Sequence, residues 1–244
     1  MSSPTNDLFT RRLKKETRDI HAISDALVNA KLAFALSDQS VWGEGLLVFY
    51  EIFKYLERTV DHPMLSKSLR RVDAFEADLE YYFGKDWKKT YIIRESVATY
   101  LTHLHYLANN NKILLLVYVY HLYMGLLSGG QILRKKRAYS ILPKRKNFRN
   151  IQGEAVTDFE GSNLYNLKKK LREDMDTEAR NFSEATKQLF IAESKHLFTL
   201  NNKIIQSIEG AGKVAAWKAF KWLIIIIIIG FFIYLIMQLF YNIL

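Results

Sequence analysis

Apolar residues recur at spacings of three and four along most of the chain, and no stretch shows strand-like alternation, so the pattern predicts an all-α protein. Phe9, Leu13, Ile20 and Leu27 make one face of a helix over 8–28. Trp42, Phe49, Tyr50, Phe53 and Leu56 do the same over 40–59, with Ser37 or Asp38 as N-cap and Asp61-His62-Pro63 as the stop. Helices over 66–83, stopped by Gly84, and over 94–108, stopped by Asn109 to Asn111, follow. Beyond a long apolar segment around Tyr120 to Gln131, a polar, basic connection from Arg134 to about Gly161 reads as a mobile loop. Two further helices, over 164–175 and 183–210, complete one helical domain over 8–210.

The pattern changes at Trp222. From there to Leu244 no residue is charged, and only Gln238 and Asn242 are strongly polar. At 1.5 Å per residue such a helix spans roughly a 30 Å hydrocarbon layer. The expectation is a C-terminal transmembrane anchor over 222–244, behind a basic juxtamembrane linker over 211–221 that carries Lys213, Lys218 and Lys221. Trp217, Trp222 and Tyr241 suit the two interfaces, and the lysines leave the preceding domain on the cytosolic side. Residues 1–7 read as a disordered N-terminus; the charges that follow have no apolar core before them, unlike a secretory signal.

Composition narrows the chemistry. The 244 residues contain no cysteine, which excludes disulfides, thiolate metal sites and a cysteine nucleophile. The net charge of +10 falls in four separate clusters, Arg11 to Arg18, Arg134 to Arg149, Lys168 to Arg172 and Lys213 to Lys221. No recognised nucleic-acid module accompanies them, so an anionic membrane surface, a ligand's carboxylates or an acidic redox partner suits them better than nucleic acid.

Two stretches carry candidate chemistry. Residues Tyr120 to Gln131 read YHLYMGLLSGGQ, three glycines inside an apolar helix. Gly125 and Gly129 lie four apart on one face and Gly130 widens the bare patch, so a flat ligand could touch backbone there, and a kink is expected beside Ser128. A kinked core or membrane helix is the plainer alternative. In the first helix, His21 shares a face with Lys14, Thr17 and Arg18 before it and Asp25 one turn after it. Such a histidine is otherwise an ordinary satisfied or exposed residue. The Glu193-x-x-His196 spacing would suit a di-iron bundle, but that site needs a second such pair, and the sequence has none.

The glycine helix, through Tyr120, Tyr123, Gly125, Ser128, Gly129, Gly130 and Gln131, resembles the distal helix of the haem oxygenases, Y-x-x-Y-x-G-x-x-S-G-G-Q. LKKETRDIH, ending in His21, is similar to that family's first helix, and the order of segments over about 8–208 is similar too, insect members being nearest in pattern. The resemblance implies a helical haem oxygenase-like fold in which His21 is the axial ligand of haem iron and Asp25 accepts its other ring N–H. It implies that Lys14, Arg18, Lys168 and Arg172 face haem carboxylates, with Lys169 and Lys170 as alternatives, and that Thr17, Tyr120, Leu122, Ser128, Gly130 and Phe198 line the pocket. Backbone at Gly125 and Gly129, with Tyr50 and Asn201, is left to anchor distal water. The implied reaction cleaves haem b, both substrate and cofactor, with O2 to biliverdin, iron and CO. Electrons would come from NADPH through a flavoprotein reductase at the endoplasmic reticulum membrane.

The sequence departs from that family at two distal positions. Leu126 stands where the family has an aspartate and Leu122 where it usually has an arginine. Losing one preorganised donor costs about 3 kcal/mol of transition-state stabilisation, so turnover should be slower and less regioselective. The alternative is a membrane-anchored haem buffer or sensor that has lost turnover.

Overall fold

A computed structural model describes residues 8–32, 38–141, 152–159 and 161–241. The 1–7 segment and Ser37 lie outside the described residues, as does most of the basic connection after α8. Among the described residues all regular structure is helical. The order is α1 (Phe9–Glu16), α2 (Arg18–Leu32), α3 (Gln39–Thr59), α4 (Val72–Phe83), α5 (Trp87–Thr90), α6 (Glu95–Asn110), α7 (Leu115–Gly125), a π turn (Leu126–Gly130), α8 (Gln131–Ile141), α9 (Leu164–Arg180), α10 (Glu184–Gln206) and α11 (Ala211–Tyr241).

Local chemistry sets several boundaries. Asp38 caps α3 by accepting from the Ser40 and Val41 amides, and Gly84, at φ +84°, ends α4 where a side chain would be strained. The expected first helix is two: Thr17 leaves helical geometry (φ −102°, ψ 4°), and its buried hydroxyl donates to the Leu13 carbonyl at 2.7 Å. The helix expected over 66–83 begins only at Val72, because residues 61–71 form a turn system in which Glu57 accepts from the Arg71 amide at 2.5 Å.

The bundle is built around α7, apolar on every side and buried from Leu115 to Tyr120. Lys112–Tyr139 is long and apolar enough to cross a membrane, but 61% of its apolar window is buried inside the bundle, as in a core helix. Helices α3, α6, α9 and α10 pack around it, and α2 lies along α10.

The expectation of a mobile loop from Arg134 onward is corrected. Arg134 to Arg137 continue α8, and Arg134 bonds Glu154 (3.2 Å) and Asp158 (2.8 Å). Arg137 is buried over the Trp42 and Tyr82 rings. Asp78 on α4 accepts from the Ala155 and Val156 amides, both at 2.9 Å, so the 154–159 stretch is held in the core by charges that sequence alone assigns to solvent. At the other end of the chain, Gly210 (φ +79°) turns α10 into α11, whose 31 residues include the basic 211–221 stretch. Within α11 the 223–234 run is an apolar helix with its large side chains exposed.

Candidate functional site

One wall of the site is the α1–α2 corner. Thr10 ties α1 to α9 twice through Asp176, by its amide at 2.8 Å and its hydroxyl at 2.9 Å. Arg12 forks onto Glu184 at the start of α10, and Phe9 packs edge-on against Phe182 and Phe190. On this fixed corner His21 opens α2, half-exposed, with Nδ1 3.0 Å from Asp25 Oδ2. Its Nε2 has no hydrogen-bond partner among the described residues, and its ring sits edge-on against Phe198 of α10 at 5.2 Å. The carboxylate therefore orients the ring and leaves Nε2 as the available lone pair.

The opposite wall is the end of α7 and the π turn. The kink expected beside Ser128 is this π turn, the kind of irregularity in which a helix widens at functional sites. A methyl group added at Gly125 or Gly129 would meet nothing within 4 Å, whereas one at Gly130 would meet Thr157 at 3.5 Å. Two glycines thus open onto free space and the third packs inward. Gln131 explains its place in the motif by donating to the Thr157 carbonyl at 2.7 Å, which holds the π turn to the 154–159 stretch.

His121, one turn before Gly125, connects the walls. Its ring lies 5.2 Å from that of Phe198, on which His21 also rests. Ser194 gives its hydroxyl proton to the Phe190 carbonyl (2.7 Å), so at 2.9 Å from His121 Nε2 its oxygen accepts, and Nε2 carries the proton. Burial first, and then the neighbouring His21, push the His121 pKa down to about 3, which keeps the ring neutral. No local pattern singles out His121; only the fold brings it to Ser194, 73 residues away.

A third side is α9, against α7 and the π turn. Lys169 and Lys170 pair with Glu173 and Asp174, one turn along their own helix. Lys168 and Arg172 make no ion pair among the described residues, and neither do Lys14 and Arg18 across the site. Of the cations singled out from sequence on α9, Lys168 and Arg172 are thus the two without an ion pair among the described residues. Tyr120 is buried between α7 and α9, where burial pushes its hydroxyl up to about 12 against the opposing pull of Arg172.

Other candidates fall differently. Phe198 is in the site and Asn201, one turn on, accepts from Tyr100 at 3.0 Å; Tyr100, fully buried on α6, was missed by sequence. Tyr50 is not in the site: its hydroxyl donates to Glu76 on α4 at 2.6 Å and its ring packs on Trp87. The α3 aromatic that meets α7 is Phe53, one turn later, against Tyr123 at 5.0 Å. Tyr123 turns away from the site to donate to Glu57. Glu193 accepts from Tyr118 and lies 2.7 Å from His103 Nε2, which engages the carboxylate of the di-iron alternative within the bundle. Leu122 is buried and Leu126 half-buried, both against the core.

Comparison with known proteins gives one family. The sequence profile described as Heme oxygenase matches residues 7–207. Heme oxygenase 2 of Oryctolagus cuniculus is 30% identical over 66% of this chain, and the match spans about half of that relative's length (52%). Heme oxygenase 1 of Nostoc sp. is 27% identical over 83% of this chain and 86% of its own. Among solved structures, heme oxygenase 2 from Chlamydomonas reinhardtii without heme superposes with a TM-score of 0.74 at 27% identity, covering 83% of this chain and 98% of that one. The heme complex of heme oxygenase-1 from the cyanobacterium Synechocystis, at 23% identity, shares the fold with a TM-score of 0.70 over 88% of this chain and 99% of that one.

Proposed function

The chain belongs to the haem oxygenase family, and from that premise we propose that it binds haem between His21 and the glycine stripe and cleaves it, with O2 and a reductant, to biliverdin, iron and CO. One observation carries the reading. An oriented histidine with a free Nε2 rests, through Phe198, against the helix whose Gly125 and Gly129 open onto empty space, so a planar ligand fits with its metal to one side and backbone on the other.

The residues divide the work. His21 takes the iron, and Asp25 holds its Nδ1–H and so its ring plane. Lys14, Arg18, Lys168 and Arg172 provide the charge for two carboxylates. Gly125 and Gly129 let the helix backbone approach the macrocycle, as no side-chain-bearing residue would allow. Bound haem supplies the iron that activates O2 and is itself the molecule oxidised. Asn201, positioned by Tyr100, and the backbone of the π turn are the polar groups left to hold water on the distal side. With Leu126 and Leu122 apolar, that water is held less firmly. A loss of about 3 kcal/mol would slow turnover on the order of a hundredfold, while a pocket that holds haem and O2 together would preserve part of the rate through proximity. In-plane rotation of haem is also less restrained, which loosens regiochemistry.

The reading places α11 as a tail anchor in the endoplasmic reticulum membrane, the domain facing the cytosol beside an NADPH-dependent flavoprotein reductase. Its support is the exposed apolar run over 223–234 and the lysines that precede it in sequence. A haem buffer or sensor is the second reading, and Leu126 is the observation that favours it. Hemin-loaded protein given reductase and NADPH in air, with catalase, separates the two: the Soret band is expected to fall as biliverdin absorbance rises. A Soret band that forms and then persists would leave only the buffer.

A further inference from the structure

His21 is held on one side by a pair that water reaches. Its side chain is 54% exposed and that of Asp25 64%, and a pair one turn apart at that exposure does little to fix a ring. The other constraint is buried. Phe198 is 7% exposed, and its ring meets two imidazoles edge-on, each at 5.2 Å: His21 at 71° and His121 at 68°. The orientation of His21 therefore depends on what fixes Phe198. Ser194 precedes Phe198 by one turn on the same face of α10 and is fully buried, so the bond from His121 Nε2–H to Ser194 Oγ at 2.9 Å ties α7 to α10 beside that ring. Tyr120 lies edge-on to His121 at 5.1 Å and bounds its ring on a further side. Edge-on ring contacts tolerate a wide range of separations, whereas a hydrogen bond weakens steeply off its angle, so the Ser194 bond sets where the His121 ring stands.

We propose that His121 is a positioning residue for the axial histidine: bonded to Ser194 and bearing on Phe198, it fixes the plane in which His21 presents Nε2. The inference rests on the haem-binding reading of the site. Where Phe198 yields, the His21 ring turns from Asp25, and the strengthening that the carboxylate gives its donor nitrogen is lost.

The test reads the iron–histidine stretching band by resonance Raman spectroscopy of the full-length protein, loaded with hemin and reduced under argon, with melting of the haem-free protein followed alongside. Ser194→Ala removes the acceptor and leaves every ring in place. His121→Phe keeps an aromatic edge against Phe198 and loses the bond, and His121→Gln keeps a donor near the Nε2 position. Ser194→Ala and His121→Phe are expected to bind hemin with the band broadened and moved to lower frequency, and His121→Gln to bring it back toward the parent. Lower melting temperatures with an unchanged band in both would make His121 an ordinary structural residue and overturn the proposal. A band that moves in His121→Phe but not in Ser194→Ala would assign the effect to the altered ring and overturn the Ser194 clamp. Ser194→Ala, the smaller change, decides alone where His121→Phe does not fold. A parent without the band would take His21 from the iron, so that the haem-binding reading fell as well; a parent band with unchanged variants overturns the positioning alone.

Discussion

The two walls of the site treat their polar groups in opposite ways. On the α1–α2 and α9 side, Lys14, Arg18, Lys168 and Arg172 make no ion pair and His21 Nε2 no hydrogen bond among the described residues, while the residues around them are fixed by Thr10, Arg12 and Asp25. Around α7, Tyr118 is engaged by Glu193, Tyr123 by Glu57 and His121 by Ser194, and Gly125 and Gly129 open onto free space. One wall is arranged to hold a ligand and the other to lie flat against it. On the proposed function, binding determinants and distal control are separable, and the second is the thinner.

Four substitutions or conditions sharpen that contrast, beginning with the strongest. His21→Ala removes the proposed axial donor on the open wall. It should abolish the histidine-ligated haem spectrum and all turnover, and a spectrum unchanged from the parent would take His21 out of the site. Gly125→Ala should move two readouts in opposite directions. Alanine stabilises a helix by up to about 1 kcal/mol over glycine, so the haem-free protein should melt higher, while hemin affinity falls because the methyl group enters the ligand's space. Higher stability with unchanged affinity would mean that the glycine face is not the contact. Leu126→Asp returns a carboxylate to the flat wall. Biliverdin formation should speed up by as much as about a hundredfold if the remaining groups hold water, at some loss of stability because Leu126 packs on the core. No gain with haem still bound would mean that Leu122 or the pocket shape dominates instead.

The smallest effect is a pH dependence. The folded-state pKa of His121, about 3, lies below its unfolded value near 6.5, so the unfolded chain takes up the extra proton first. Its contribution to stability is present above pH 6.5 and is lost as pH falls from there toward 3. Urea midpoints of the haem-free protein should drop across that window, and His121→Gln should flatten the drop.

What was legible in the sequence was what local rules decide. Asp38 caps with its side chain the amides two and three residues on, Gly84 acts through its own backbone, the glycine–serine cluster announced a break in the helix, and the i, i+4 relation of His21 to Asp25 needs no tertiary contact. Long-range partners were not legible. Tyr50 and Phe53 are one turn apart on an aromatic face, and only Glu76, 26 residues away, shows which of them is turned from α7. Arg134 and Arg137 read as solvent-facing charge until Glu154, Asp158 and the rings of Trp42 and Tyr82 surround them. Thr17 escaped for a different reason: its backbone leaves helical geometry where the apolar periodicity runs straight through.

The contrast between the walls is tested most directly by the isomer composition of the biliverdin formed in turnover with reductase and NADPH, resolved by chromatography. A mixture of meso-cleavage isomers is expected, because cations on one wall hold haem while the apolar wall leaves its in-plane rotation and its distal water loosely set. A single isomer formed at full rate would contradict it, and would mean that the wall of Leu122 and Leu126 directs oxygen as firmly as a charged one.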